Sequence, residues 1–81
     1  IGNLINLKEL YLSFNKIIEL PKEIGNLSNL LHLYLDNNQL EELPKEINNL
    51  SNLSEITLTG NKITIEEIEK LRSRKSIKFF I

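Results

Sequence analysis

The chain has 81 residues, 41% of them hydrophobic and 26% charged, with 10 Lys and Arg against 11 Asp and Glu, one His and no Cys, Met or Trp. That length holds one small domain, and without Cys it is neither stapled by disulfides nor closed around a thiolate-bound metal. Near-balanced charge, and the lack of any run of about 18 apolar residues, exclude a polybasic tail, an acidic disordered segment and a membrane-spanning helix.

The apolar content is mostly 16 Leu and 12 Ile, with no Val or Ala, and 11 Asn form the second excess. Charge is split along the chain. Residues 1–61 hold four Lys against eight Asp and Glu, whereas residues 62–81 hold six Lys and Arg against three Glu, giving net charges of −4 and +3.

In chain order, residues 1–6 read as the end of a repeat, because Ile1, Gly2, Asn3, Leu4 and Leu7 align with Ile24, Gly25, Asn26, Leu27 and Leu30. A solenoid needs capped terminal coils. The start in mid-repeat leads us to expect the C-terminal part of a longer array, with an uncapped first coil at Ile1, Leu4 and Leu7 open to association. Residues 7–29 then form a repeat marked by Leu7, Leu10, Leu12, Asn15, Ile17, Leu20, Pro21, Ile24 and Leu27. Residues 30–52 reproduce it at a spacing of 23, with Leu30, Leu33, Leu35, Asn38, Leu40, Leu43, Pro44, Ile47 and Leu50. A third copy opens over residues 53–63, with Leu53, Ile56, Leu58, Asn61 and Ile63, and then departs.

Within each copy the Leu pair two residues apart predicts a short strand with those side chains inward and the intervening ones outward. One coil cannot bury its own Leu and Ile side; about three stacked coils make a continuous core. Asn15, Asn38 and Asn61 follow the strands, where a stacked ladder of amides would serve backbone groups that the turning chain leaves without sheet partners. Pro21 and Pro44 fix φ and suit an extended return or the first turn of a short helix. Lys22, Glu23, Lys45 and Glu46 are expected as solvated convex charges of little energetic weight.

Residues 64–81 read as a C-terminal capping helix and strand. Thr64 and Glu67 form a capping-box pattern, in which the Glu would reach back to the Thr64 amide. Ile65, Ile68 and Leu71 form one apolar stripe, leaving Glu66, Glu67, Glu69 and Lys70 facing water. Arg72, Arg74 and Lys75 are placed to complement the helix dipole. Phe79 and Ile81 stand three periods of 23 beyond Leu10 and Leu12, which predicts a fourth strand closing the sheet edge.

The repeated pattern LxxLxLxxNxLxxLPxxIxxL resembles the leucine-rich repeat family, in the 23-residue class seen in bacterial repeat proteins and in Ras-linked intracellular ones. The resemblance covers essentially the whole chain. It implies an α/β solenoid, a right-handed superhelix with a short parallel β-sheet on its concave side and short helical or extended segments on its convex side. It also implies a non-enzymatic protein–protein interaction module whose concave strand positions meet a protein partner.

Read at the period, the outward strand positions fall into columns of Glu9, His32, Glu55 and Lys78; of Tyr11, Tyr34, Thr57 and Phe80; of Ser13, Asp36 and Thr59; and of Phe14, Asn37 and Gly60. Neighbours in a column stand about 4.8 Å apart. Candidate partner-binding residues are therefore Glu9, Tyr11, Ser13, His32, Tyr34, Asp36, Glu55, Thr57 and Thr59, led by the two tyrosines, which supply rigid aromatic contact area. The bland alternative is that these tyrosines stack into a ladder that only supports the sheet, in a structural, spacer or self-associating segment without a specific ligand.

His32 between Glu9 and Glu55 has the residue types of a metal site, but on an open surface the expectation is a solvated electrostatic row with no metal and no cofactor. One His, no Cys, scattered glycines and no Gly-x-Ser-x-Gly give catalysis nothing to work with. The basic C-terminal residues fit helix-dipole complement and a charged sheet edge better than a nucleic-acid surface. Three Asn-Leu-Ser triplets, at Asn26, Asn49 and Asn52, match a glycosylation pattern that the repeat itself generates. No signal-peptide pattern is visible in these residues, and both a cytoplasmic and a bacterial secreted or surface location fit the composition.

Overall fold

A computed structural model describes residues 6–74 and 77–80. Four three-residue strands, β1 (Glu9–Tyr11), β2 (His32–Tyr34), β3 (Glu55–Thr57) and β4 (Lys78–Phe80), form one parallel sheet in the order β1-β2-β3-β4. The register follows the period: Leu10, Leu33, Ile56 and Phe79 lie side by side, and so do Tyr11, Tyr34, Thr57 and Phe80. Parallel neighbours require the chain to cross back behind the sheet between strands. Here the return runs through short 3-10 helices, Lys22–Asn26 and Lys45–Asn49, and in the last coil through α1 (Ile65–Arg72).

Each 3-10 helix begins where proline fixes the chain. Pro21 and Pro44 are extended, at φ −69° and −66°, and stand one residue before the helix. Their missing N–H costs nothing there, because the first helical donors lack intrahelical partners anyway. Each helix turns its isoleucine, Ile24 or Ile47, into the core. The two helices pack so closely that a Cβ at Gly25 would lie 2.8 Å from the Glu46 carbonyl oxygen.

The core is a stack of Leu and Ile from successive coils, including Leu27, Leu30, Leu33, Leu35, Leu50 and Ile56, joined by Leu71 and Ile77 from the last turn. Full burial of each such side chain stabilises the fold by roughly 1.5–3 kcal/mol. Leu33 and Leu35, with coils on both sides, are fully buried; Leu10, Leu12 and Phe79, on the outer strands, are only partly covered.

Where the strands end, the chain turns and leaves the carbonyls of Leu12, Leu35 and Leu58 pointing inward. Asn38 is buried, donates to Leu12 O and Leu35 O at 2.9 Å each, and accepts from Ile17 N at 3.1 Å. Asn61 repeats the arrangement one coil on, donating to Leu35 O at 2.8 Å and Leu58 O at 3.1 Å and accepting from Leu40 N at 3.0 Å. Asn15 differs. It is exposed and donates only within its own turn, to Leu12 O at 2.9 Å and Ser13 O at 3.2 Å, so it ties no second coil.

The last coil departs from the sequence expectation at three residues. Thr64 does cap α1, accepting from Glu67 N at 3.4 Å, but the reciprocal half of a capping box is not made. The Glu67 carboxylate instead accepts from Leu43 N at 3.0 Å and from Lys70 Nζ at 2.7 Å, so its side chain is 11% exposed and does not face water. The backbone of the preceding coil offers an unpaired N–H within reach, and that donor wins over the helix's own first turn. Ile65 is 75% exposed while Leu71 is buried, so the apolar stripe is shorter than the spacing suggests. As first residue of the helix, Ile65 has a Cβ that points back over the exit from the coil rather than onto the core. Arg74, finally, does not serve the α1 dipole. Its guanidinium donates to Ile47 O at 3.0 Å and Leu50 O at 2.6 Å, closing the carbonyl end of the second 3-10 helix with charge-assisted bonds.

Lys75, Ile81, Ile1 and Leu4 lie outside the described residues. Among the described residues, no helix is long and apolar enough to cross a membrane.

Candidate functional site

The concave side is built from residues that the core does not use. A strand sends alternate side chains to opposite faces, so with Leu10, Leu33 and Ile56 inward, Glu9, Tyr11, His32, Tyr34, Glu55 and Thr57 stand together on the outer face. All of them but Glu55 fall into two bonded groups.

The first group joins Glu9, His32, Tyr11 and Tyr34. The Tyr11 and Tyr34 rings stack with centroids 4.6 Å apart and planes within 8°, at the spacing their strands impose. The His32 ring stands tilted 6.2 Å from that of Tyr34. Glu9 accepts from His32 Nδ1 at 3.0 Å and from the Tyr11 hydroxyl at 2.9 Å. Those two donors, His32 foremost, hold the Glu9 carboxyl below the usual carboxylate range. The same bond to Glu9 raises the Tyr11 phenol above its ordinary value, and partial desolvation followed by the charges of Glu55 and Glu9 raises Tyr34.

The second group centres on Asp36. Its carboxylate accepts from the Ser13 hydroxyl at 2.6 Å, the Thr57 hydroxyl at 2.9 Å and the Asn37 amide at 3.3 Å. These donors, Ser13 first, lower the pKa of Asp36. Thr57 Oγ1 also accepts from Leu35 N at 3.1 Å, so the hydroxyl's proton and one of its lone pairs are used inside the protein. Of the nine candidates, Glu55 and Thr59 join neither group. Glu55 is half-buried on β3, and Thr59 is exposed beyond the strand end, where its carbonyl accepts from Asn37 N at 2.7 Å.

Phe14, an outward turn position in the fourth column, stands outside the nine candidates. Phe14 is 78% exposed and sits at φ 58°, in the left-handed region that also holds Asn37 at φ 60° and Gly60 at φ 78°. The turn is pinned from both sides, since Phe14 N donates to Asp36 O at 3.0 Å just as Asn37 N donates to Thr59 O. Left-handed backbone costs an L-residue about 1–2 kcal/mol, with Gly and Asn the usual exceptions. Asn and Gly at the equivalent positions of the next two coils are the signal that marks this column as left-handed, and they single out Phe14 as an aromatic held there at a cost.

Elsewhere the surface offers little enclosure. A cavity between the second 3-10 helix and α1, lined by Leu43, Pro44, Ile47 and Leu71 with Lys45, Asn48, Glu67 and Lys70, is about 100 Å³, and a wider, more open hollow of about 420 Å³ is walled by Ile18, Thr64 and the like charges of Glu19, Glu41, Glu42, Glu66 and Glu67. Small-molecule sites run roughly 300–1,000 Å³. Among the described residues, no group of three or more His, Cys, Asp or Glu side chains could hold a metal ion, and His32 lies beside Glu9 in a two-membered pair.

Stacked coils, one strand each, with an asparagine-bonded turn and an outer sheet face free of core duties, define a leucine-rich solenoid. The leucine-rich repeat region family matches residues 1–80, and the chain belongs to it. The solved structure of a leucine-rich repeat protein from Leptospira interrogans superposes with a TM-score of 0.94 at 44% identity, over 99% of this chain and 21% of that one. The chain thus spans about a fifth of that protein's length. No curated protein matches the sequence. Leucine-rich repeat domains are in general protein-interaction modules and typically non-enzymatic, which is the level at which family and fold describe this chain.

Proposed function

We propose that the chain is a protein-recognition segment whose concave sheet meets its partner. The observation that carries this reading is the Tyr11–Tyr34 stack, exposed at Tyr11 and half-buried at Tyr34, with centroids at 4.6 Å, on a face whose side chains the core does not need. Ordered aromatic area that is already rigid loses little entropy on binding, and such residues dominate interface energetics. Glu9, Ser13, His32, Asp36, Glu55, Thr57 and Thr59 complete the surface, and the hydrogen bonds centred on Glu9 and Asp36 hold most of it in shape before a partner arrives.

Size sets the scale. A standard interface takes roughly 20–30 residues a side, and the four columns supply 14. Binding by these coils alone is therefore weak, and strong recognition draws on further repeats.

The test is affinity capture on the immobilised chain, with the retained proteins identified by mass spectrometry and compared with those held by the Tyr11→Ala/Tyr34→Ala variant. Loss of specific capture supports the concave reading. Unchanged capture by the double variant points to a spacer or self-associating segment, in which changes around Leu7 and the first coil would govern association.

A further inference from the structure

We infer that the gap beside Tyr34 on the concave face takes an arginine side chain of the protein partner, its guanidinium against the Tyr34 ring and paired with Glu55. The inference rests on the concave face being the binding face and names the chemistry that face selects.

The aromatic column is interrupted. It runs Tyr11, Tyr34, Thr57, Phe80 across four adjacent strands. Tyr11 covers one face of the Tyr34 ring, and the opposite side of Tyr34 looks toward β3, where Thr57 is short. Phe80, 49% exposed, rises on the strand beyond. Two strand spacings, about 10 Å, separate the backbones that carry Tyr34 and Phe80, with a side chain of only three heavy atoms between. Because the Thr57 hydroxyl donates to Asp36 and accepts from Leu35 N, it has no proton to offer a ligand there and keeps at most one acceptor lone pair.

The charge at that gap is a carboxylate without a partner. Glu9 is engaged by His32 and Tyr11, and Asp36 accepts from three side chains. Glu55 stands two residues before Thr57 on the same face, half-buried, and among the described residues no donor or cation is hydrogen-bonded or ion-paired to it. Lys78 lies in register with it on β4 but is exposed and unpaired there. An open carboxylate beside an aromatic face matches a planar cation. A guanidinium stacks on rings, is weakly hydrated and binds carboxylate with two parallel N–H groups; a lysine ammonium does none of these as well. Asp36 and, two strands away, Glu9 add charge of the same sign as Glu55, against the single opposing charge of Lys78 on β4, and this balance favours a cationic over an acidic segment.

The test uses N-acetyl-arginine N-methylamide as the probe, with the lysine and the neutral, near-isosteric citrulline analogues as controls, titrated into the isotopically labelled chain and followed by amide chemical shifts. The arginine probe should give saturable shifts confined to Tyr34, Glu55, Thr57, Phe80 and their neighbours, with binding at least about fivefold weaker for both controls. Glu55→Gln should remove the preference for arginine over citrulline while leaving the folded spectrum in place. No saturable shift, equal binding of citrulline, or an unchanged preference in Glu55→Gln overturns the inference. If capture depends on Tyr11 and Tyr34 but the arginine probe fails, only this inference falls; if capture ignores both tyrosines, the concave reading falls with it.

Discussion

The two polar ladders of this solenoid run in parallel and obey different rules. On the turn side, Asn38 and Asn61 spend their amides on backbone carbonyls and N–H groups of two coils. On the concave side, Tyr11 bonds Glu9, Ser13 bonds Asp36, and only Thr57 serves a backbone group. A backbone group is the same in every coil, so the residue that serves it is held fixed: Asn15, Asn38, Asn61. A side-chain neighbour can change together with its partner, so the concave columns vary: Glu9, His32, Glu55, Lys78. Within this single chain, constancy marks the scaffold and variation marks the surface free to specify a partner.

Stability measurements can break that contrast, beginning with the core both ladders enclose. Leu33→Ala, at a position covered by coils on both sides, should cost about 3–4 kcal/mol in urea denaturation. Asn38→Ala should follow at about 1–3 kcal/mol, because it strands Ile17 N and removes one of the two amide donors at Leu12 O and at Leu35 O, which keep Asn15 and Asn61 respectively, whereas Asn15→Ala, which ties no second coil, should stay below about 1 kcal/mol. Equal losses at the two asparagines would show that the ladder does not join coils. Arg74→Ala should cost about 1–2 kcal/mol, and Arg74→Lys should recover little of it, because an ammonium cannot reach both Ile47 O and Leu50 O with a planar fork.

Acidity separates the same regions. Asp36, through Ser13, and Glu67, through Lys70 and the Leu43 amide, have depressed folded-state pKa values. The unfolded chain then takes up protons more readily than the folded one, so these groups stabilise above the ordinary carboxylate range and that contribution is lost as pH falls below about 4. Asp36→Asn and Glu67→Gln should each flatten the acid limb of the curve of urea midpoint against pH. The smallest stability effects belong to the concave surface, where Thr59→Ala and Tyr34→Ala should move the melting temperature by less than about 4 °C.

The sheet was legible in the sequence because its register is the period: once Leu10 aligns with Leu33 at a spacing of 23, the columns follow by counting. The inward asparagines and the closing strand follow for the same reason. Contacts between unlike positions were not legible. Glu67 turns to Leu43, Arg74 reaches Ile47 and Leu50, and Asp36 is bonded from both the preceding and the following coil. Each depends on which backbone group happens to lie unpaired nearby, and no repeat pattern encodes that. On the site, the columns were readable, but that Asp36 and Thr57 are consumed by one another while Glu55 stays open is visible only in three dimensions. The left-handed turn at Phe14 lay between, announced by Asn37 and Gly60 one and two periods on.

The central claim is that the tyrosine stack on the concave face recognises a partner and is not needed for the fold. The most direct measurement is the equilibrium affinity of a captured partner for the chain and for Tyr11→Ala/Tyr34→Ala, read beside the melting temperature of each. Recognition through the stack requires an affinity at least about tenfold weaker in the double variant with a melting temperature within about 4 °C of the parent chain. An unchanged affinity, or an affinity lost only because the variant no longer folds, would contradict it.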